Sequence, residues 1–157
     1  MAKIYLAADH AGFQLKEQVK THLRERDLMV EDQGAYTLEP EDDYTDYVKI
    51  VAKMIQGDPE SRGLIFGGSG QGEAICANRF KGVRAAVYYG GNPDVVELSR
   101  VHNDANILSL GARFITPGEV VEMVDLWLKI PFSGDARHIR RINEIDNIDN
   151  VGGILEY

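Results

Sequence analysis

The chain has 157 residues and a mass of 17.5 kDa, enough for one domain with a full hydrophobic core and too little for two ordinary ones. Hydrophobic residues make up 44% and charged residues 27%, with no low-complexity tract, internal repeat or linker, which excludes wholesale disorder. The net charge of -8 argues against nucleic acid and acidic membranes as partners, so any anionic ligand must be gathered by a local basic cluster.

In chain order, residues 3–8 read as a buried strand and residues 12–26 as an amphipathic helix with Phe13, Leu15, Val19 and Leu23 facing inward. Residues 29–32 suggest a second strand. An acidic loop containing Glu39-Pro40-Glu41-Asp42-Asp43 leads into a helical pattern over residues 44–55, with Tyr47, Val48, Val51, Ala52 and Ile55 apolar, and Gly57-Asp58-Pro59 ends it. Residues 63–66 form a third strand, 73–78 a helix, 83–88 a fourth strand, 93–101 a helix and 107–110 a fifth strand. Helices over residues 119–128 and about 136–148, separated by Pro131 and Gly134, complete the chain before a short tail. The alternation predicts an α/β domain over residues 1–157, with a mainly parallel five-stranded sheet covered by helices on both faces.

The opening residues hold too short an apolar run for a signal peptide, and nothing approaches the roughly 18 apolar residues of a membrane span, so a soluble, cytoplasmic protein is expected. One cysteine, Cys76, excludes an intrachain disulfide and a cysteine zinc cage. Flanked by Ala74, Ile75 and Ala77, it reads as a packing residue rather than a nucleophile. No pair of histidines with nearby carboxylates has metal-ligand spacing, so no metal is expected.

Gly67-Gly68-Ser69-Gly70-Gln71-Gly72-Glu73 follows the third strand and precedes a helix. Glycines let backbone N–H groups turn toward a ligand, and a helix start adds partial positive charge, so the loop suits a phosphate or a transient oxyanion; a tight strand-to-helix turn is the plain alternative. It lacks a Walker A ending, the G-x-S-x-G elbow and G-x-G-x-x-G spacing. In parallel sheets ligands bind beyond the carboxyl ends of strands, where Asp9-His10 follow strand one, the glycine loop strand three and Arg113 strand five. Asp9 could equally cap the first helix. His102-Asn103 precede strand five and belong near the opposite edge; if they serve the same site, a second subunit delivers them. Arg137 and Arg141, four apart on the last helix, share a face that suits a phosphate or a solvated ion-pair surface. His22 reads as a surface or boundary residue, Trp127 as core, and Tyr88-Tyr89 as bordering the site or lining an interface.

Ala8-Asp9-His10-Ala11-Gly12, Asp43-Tyr44, the glycine loop through Glu73, Ala77-Asn78-Arg79, His102-Asn103-Asp104-Ala105-Asn106, Gly111-Ala112-Arg113 and Arg137-His138-Ile139-Arg140-Arg141 together resemble the RpiB/LacAB sugar-phosphate isomerases, closest to the ribose-5-phosphate isomerase B group. The resemblance runs in order from residue 3 to about 145. It implies a Rossmann-like three-layer α/β/α sandwich, a homodimer or dimer of dimers with active sites between subunits, no cofactor, and metal-independent aldose–ketose isomerisation. Many members carry a cysteine base at the position matching Gly67. This chain is similar instead to a branch, typified by mycobacterial enzymes, that uses a glutamate matching Glu73. A carboxylate is ionised at neutral pH and takes a C2 proton directly, whereas a thiol must first lose its own.

By the resemblance, His102 opens the sugar ring with Asp9 assisting, Glu73 moves the proton, and Ser69 with the loop at Gly68, Gly70 and Gly72 stabilises the enediolate beside Asn103 and Tyr44. His10, Arg113, Arg137, His138 and Arg141 are the phosphate-end residues, with Arg140 on a different face. Thr45 stands where many relatives have proline, a change expected to alter only the helix start. Ribose 5-phosphate is the foremost substrate; allose 6-phosphate, galactose 6-phosphate, and a non-catalytic phosphate-binding or flavodoxin-like module are the alternatives.

Overall fold

The computed structural model describes residues 2–149; the tail from residue 150 lies outside the described residues. The strands are β1 (Ile4–Ala8), β2 (Val30–Asp32), β3 (Arg62–Gly67), β4 (Ala85–Tyr88) and β5 (Ile107–Gly111). The helices are α1 (Phe13–Arg24), α2 (Tyr44–Gly57), α3 (Gln71–Ala77), α4 (Asp94–Val101), α5 (Pro117–Lys129) and α6 (Ala136–Asp146). All strand pairs are parallel, in the order β2-β1-β3-β5-β4. None of the helices is long and apolar enough to cross a membrane.

Side chains on a strand alternate between faces, and β1 divides accordingly. Ile4, Leu6 and Ala8 join Leu15, Val19 and Leu23 of α1, Val96 of α4, and Val120, Val124 and Trp127 of α5. Tyr5 and Ala7 join Val48, Val51, Ala52 and Ile55 of α2 and Ala77 of α3. The sheet is therefore sandwiched, and β1, β5 and all of β3 beyond Arg62 are buried because both faces are covered. Trp127 is fully buried, its indole N–H donating to Ser99 Oγ at 3.2 Å. His22 is half-buried at the α1–α5 boundary, where its Nε2 meets Asp125 at 3.0 Å.

Two positions on α1 depart from its amphipathic pattern. Phe13 is only half-buried, while Lys16 is completely buried. The Lys16 ammonium is tolerated because it bonds both oxygens of Asp32, at 2.7 and 2.8 Å, and the Ala35 carbonyl at 2.6 Å. Burial works against the charge on Asp32, but hydrogen bonds from Lys16, Lys20 and the Gly34 N–H outweigh it and hold its carboxyl below the usual value. This cluster anchors α1 to the end of β2.

Gly12 sets the approach of α1 to the sheet. A β-carbon there would overlap the Phe66 carbonyl and its Cβ. Gly12→Ala should therefore destabilise the fold by about 1–3 kcal/mol, read as a lowered urea midpoint at unchanged slope. An unchanged midpoint would show that α1 can shift off β3 without cost.

Candidate active site

The chain runs outward from β1 to β2 and then crosses back to β3 on the other side, so a crevice opens at the carboxyl ends of β1 and β3. Asp9-His10 leave one wall and the glycine loop the other. Asp9 is buried, and its Oδ1 accepts the N–H groups of Ala11 at 3.0 Å and Gly12 at 3.2 Å. Its capping role is thus realised with one oxygen. The other, Oδ2, lies 3.9 Å from His10 Nδ1.

The glycine loop is pressed against β5. A β-carbon at Gly111 would come within 2.7 Å of the Ser69 carbonyl, and Gly70 takes a left-handed φ of +76° while its carbonyl accepts the Ser109 hydroxyl at 2.7 Å. Carbonyls of Gly67 and Gly68 accept the N–H groups of Ala112 and Arg113 at 2.8 and 3.0 Å. Ser69 Oγ accepts the Gln71 N–H at 3.3 Å. Among the described residues, the N–H groups of Gly68, Ser69, Gly70 and Gly72 find no protein acceptor. A cluster of unspent donors in one loop suits an oxyanion.

α3 begins at Gln71, two residues earlier than periodicity suggested, because Gly70 supplies the left-handed N-cap. Glu73 consequently sits in the first turn, buried at 4% exposure. Its carboxylate occupies the space that a side chain at residue 67 would fill, since a β-carbon built on Gly67 overlaps it. Glycine at 67 and glutamate at 73 are thus one feature. Burial, followed by the nearby charge of Asp9, raises the Glu73 pKa above the ordinary glutamate value of 4.5, against opposing contributions from its own backbone N–H and Arg113. A carboxylate tuned toward neutrality is a better general base than an exposed one.

Other residues close the crevice. A β-carbon at Gly72 would meet the Tyr44 hydroxyl at 2.5 Å, which places Tyr44 of α2 beside α3. The Arg113 guanidinium lies over Gly68, where a β-carbon would meet it at 3.0–3.1 Å. Asp42, which sequence reasoning left inside the acidic loop, holds His10: its Oδ1 accepts the His10 N–H at 3.0 Å and lies 2.8 Å from Nδ1. Its proximity arises from folding across 32 residues, and local pattern carries no trace of it. Asp9, His10 and Asp42 bring three metal-ligand-type atoms within 4.8 Å of one another, a grouping that sequence spacing did not suggest. The short His10–Asp42 contact has hydrogen-bond geometry.

Cys76 is half-buried, and burial chiefly raises its thiol pKa, which suits a packing residue. Tyr89 is exposed and meets Phe114 edge-on with centroids 6.0 Å apart, at the rim beyond β4 and β5.

The remaining expected residues gather elsewhere. His102 caps the C-terminus of α4 and Asn103 follows it, at the end of the sheet where β5 begins, opposite to Glu73. The His102 ring stacks on His138 of α6, centroids 4.4 Å apart and planes 20° from parallel. Arg137, Arg140 and Arg141 are exposed and make no ion pair among the described residues. His138 does not share the exposure of the arginines around it. It is 3% exposed, its Nε2 lacks a protein partner among the described residues, and burial, then His102 and Arg137, lower its pKa. Sequence placed it next to two arginines; only packing turned it inward.

One chain therefore presents two separate groups, the buried Glu73 carboxylate with its glycine loop at one end of the sheet and a histidine–arginine cluster at the other. Residues 4–145 match the family model described as Ribose/Galactose Isomerase. The chain belongs to the ribose/galactose isomerase family. It is 40% identical over 142 residues to a probable ribose-5-phosphate isomerase B of Mycoplasma pneumoniae, covering 90% of this chain and 91% of the relative. Among solved structures, a ribose 5-phosphate isomerase from Thermotoga maritima matches with a TM-score of 0.86 and 44% identity over 93% of this chain and 98% of that one. Ribose-5-phosphate isomerase B from Mycoplasma genitalium with bound ribulose-5-phosphate matches with a TM-score of 0.89 and 35% identity, covering 94% and 95% of the two chains. The family's fold is the parallel α/β sandwich described above.

Proposed function

We propose that this chain interconverts ribose 5-phosphate and ribulose 5-phosphate through an enediolate, with Glu73 as the base. The observation that carries the reading is the buried Glu73 carboxylate, seated in the space left by Gly67 and next to a loop of unspent N–H donors. A protein that only bound a phosphate would need the loop but not the base. The relatives' names and the ribulose-5-phosphate in the Mycoplasma genitalium structure favour the pentose over a hexose phosphate.

In this scheme His102 opens the furanose ring and Asp9 orients the sugar hydroxyls. Glu73 takes the proton from C2 as the C2–H electron pair forms the C1–C2 double bond and negative charge develops on O1. Ser69, Asn103 and the N–H groups of Gly68, Gly70 and Gly72 receive that charge, and Tyr44 borders the sugar. The O2 hydroxyl proton then passes to O1, and Glu73 returns its proton to C1 as the O2 electron pair forms the ketone at C2. His10 and Arg113 hold the phosphate together with Arg137, His138 and Arg141. Because His102 and α6 lie at the opposite end of the sheet from Glu73, a second copy of the chain supplies them, so the working unit is a homodimer or a dimer of dimers.

A panel of pentose and hexose phosphates assayed for aldose–ketose conversion, with and without a chelator, tests the reading. Turnover of ribose 5-phosphate in both conditions is expected; preferential turnover of allose 6-phosphate or galactose 6-phosphate would reassign the substrate, and binding without turnover would remove the base. Glu73 must be ionised to accept the proton, and its raised pKa keeps it protonated to a higher pH than an ordinary glutamate. The rate should therefore fall as pH drops through a value above 4.5. A limb of kcat/KM at or below that value would contradict the buried base.

A further inference from the structure

The turn that carries His102 and Asn103 is held by two arginines to which the isomerase scheme gives no part. Residues 102–106 join α4 to β5, and three successive carbonyls in this turn, those of Asn103, Asp104 and Ala105, accept hydrogen bonds from guanidinium groups. Arg84 donates Nε to the Asn103 carbonyl at 2.9 Å, and Nε and Nη2 to that of Asp104 at 3.2 and 3.0 Å. Arg100 donates Nη1 to the Ala105 carbonyl at 2.7 Å and Nε to that of Ile130 at 3.2 Å. The Asp104 carboxylate bridges the two cations, with Oδ1 2.8 Å from Arg100 and Oδ2 3.4 Å from Arg84.

Asp104 itself has a φ of +44°. A non-glycine residue persists in that left-handed region only where its surroundings over-determine it. Arg100 is 3% exposed with Trp127 beside it, and Arg84 reaches Asp146 Oδ2 at 3.5 Å, at the end of α6. One guanidinium thus ties the His102 turn to the helix bearing Arg137, His138 and Arg141. The His102 ring, by contrast, has no hydrogen bond to the protein among the described residues and stacks on His138. Its aim depends on where its backbone is held.

We propose that Arg84, Arg100 and Asp104 are positioning residues that set His102 and Asn103, and register them with α6, for the second copy's site. The proposal rests on the reading of His102 as the ring-opening group. A planar guanidinium fork satisfies two carbonyls at once and resists the small displacements that misalign a catalytic group. The clamp bears on ring opening through His102 and on the enediolate only through Asn103, one of several donors to that charge, so turnover of the closed aldose should fall further than exchange on the open ketose.

Asp104→Gly removes both carboxylate arms while glycine accepts the left-handed φ without strain. Arg84→Lys keeps a cation but loses the fork, and supplies the same readout if the glycine variant is too unstable to purify. Each variant is measured for ribose 5-phosphate turnover, for C1 proton exchange of ribulose 5-phosphate in D2O, which needs no ring opening, and for the histidine imidazole signals by NMR. Turnover should fall by roughly 10–10²-fold with exchange retained within about threefold, and the His102 and His138 signals should move. Unmoved imidazole signals in a folded variant, or equal loss of turnover and exchange, would overturn the proposal. His102→Asn with undiminished ribose 5-phosphate turnover would instead refute the ring-opening reading, and the imidazole signals alone would then decide whether the clamp positions the turn.

Discussion

Glu73→Gln is expected to lower kcat by about 10²–10⁴-fold, the range that a positioned general base supplies. Glutamine has the same shape, so it fills the space beside Gly67 and leaves the loop undisturbed. Binding of the phosphate end should survive, since Arg113 and His10 are untouched. Stability should move the other way. The folded-state pKa of Glu73 is raised, so the ionised side chain costs the fold stability, and that cost appears as pH rises above the ordinary value of 4.5 through the folded one. A neutral amide removes it, and the variant should melt no lower than the parent at neutral pH. Near-parental turnover would end the base assignment; a large drop in melting temperature would show that the carboxylate is held by bonds that the present geometry lacks.

Gly67→Ala is expected to lose about 10²-fold in kcat, on the scale of a catalytic group displaced by an ångström. Its β-carbon lands on the Glu73 carboxylate, so the base must leave its place or the loop must open. The same overlap bears on the cysteine that many relatives carry at this position. Gly67→Cys alone should be as impaired as alanine, because the thiol and the carboxylate compete for one space. Shortening residue 73 as well, in Gly67→Cys/Glu73→Ala, clears that space, and any recovery should then be sensitive to thiol alkylation. Parental kcat in Gly67→Ala would mean that the carboxylate works from a different place.

Much of the fold was legible because strands and helices here carry clean periods. β3 carries the apolar run 63–66, β5 is apolar except for Ser109, as strands covered on both faces allow, and α2 repeats Val48, Val51, Ala52 and Ile55 at helical spacing. Element ends were less legible. α3 starts early because Gly70 adopts a left-handed φ, and β4 starts late, at Ala85, where the Arg84 N–H is taken by the Asn106 side chain at 2.8 Å. Lys16 was unreadable as a core residue, since only its pairing with Asp32, sixteen positions away, makes its burial possible.

The candidate site divides along the same line. Sequence alone determined the residue types and their order: a glycine loop after β3, an acid at its end, a histidine and an arginine at the ends of β1 and β5, and the family to which these together pointed. It also determined that His102 precedes β5 and so cannot lie at the end of the sheet where Glu73 sits. What only the tertiary structure decided is how those groups meet. Gly67 yields its space to Glu73, Asp42 reaches His10, His138 turns inward against His102, and two arginines clamp the turn at Asp104. The reason is range: periodicity and capping follow from neighbours within a turn or two of the chain, whereas these contacts form between elements that packing alone brings together.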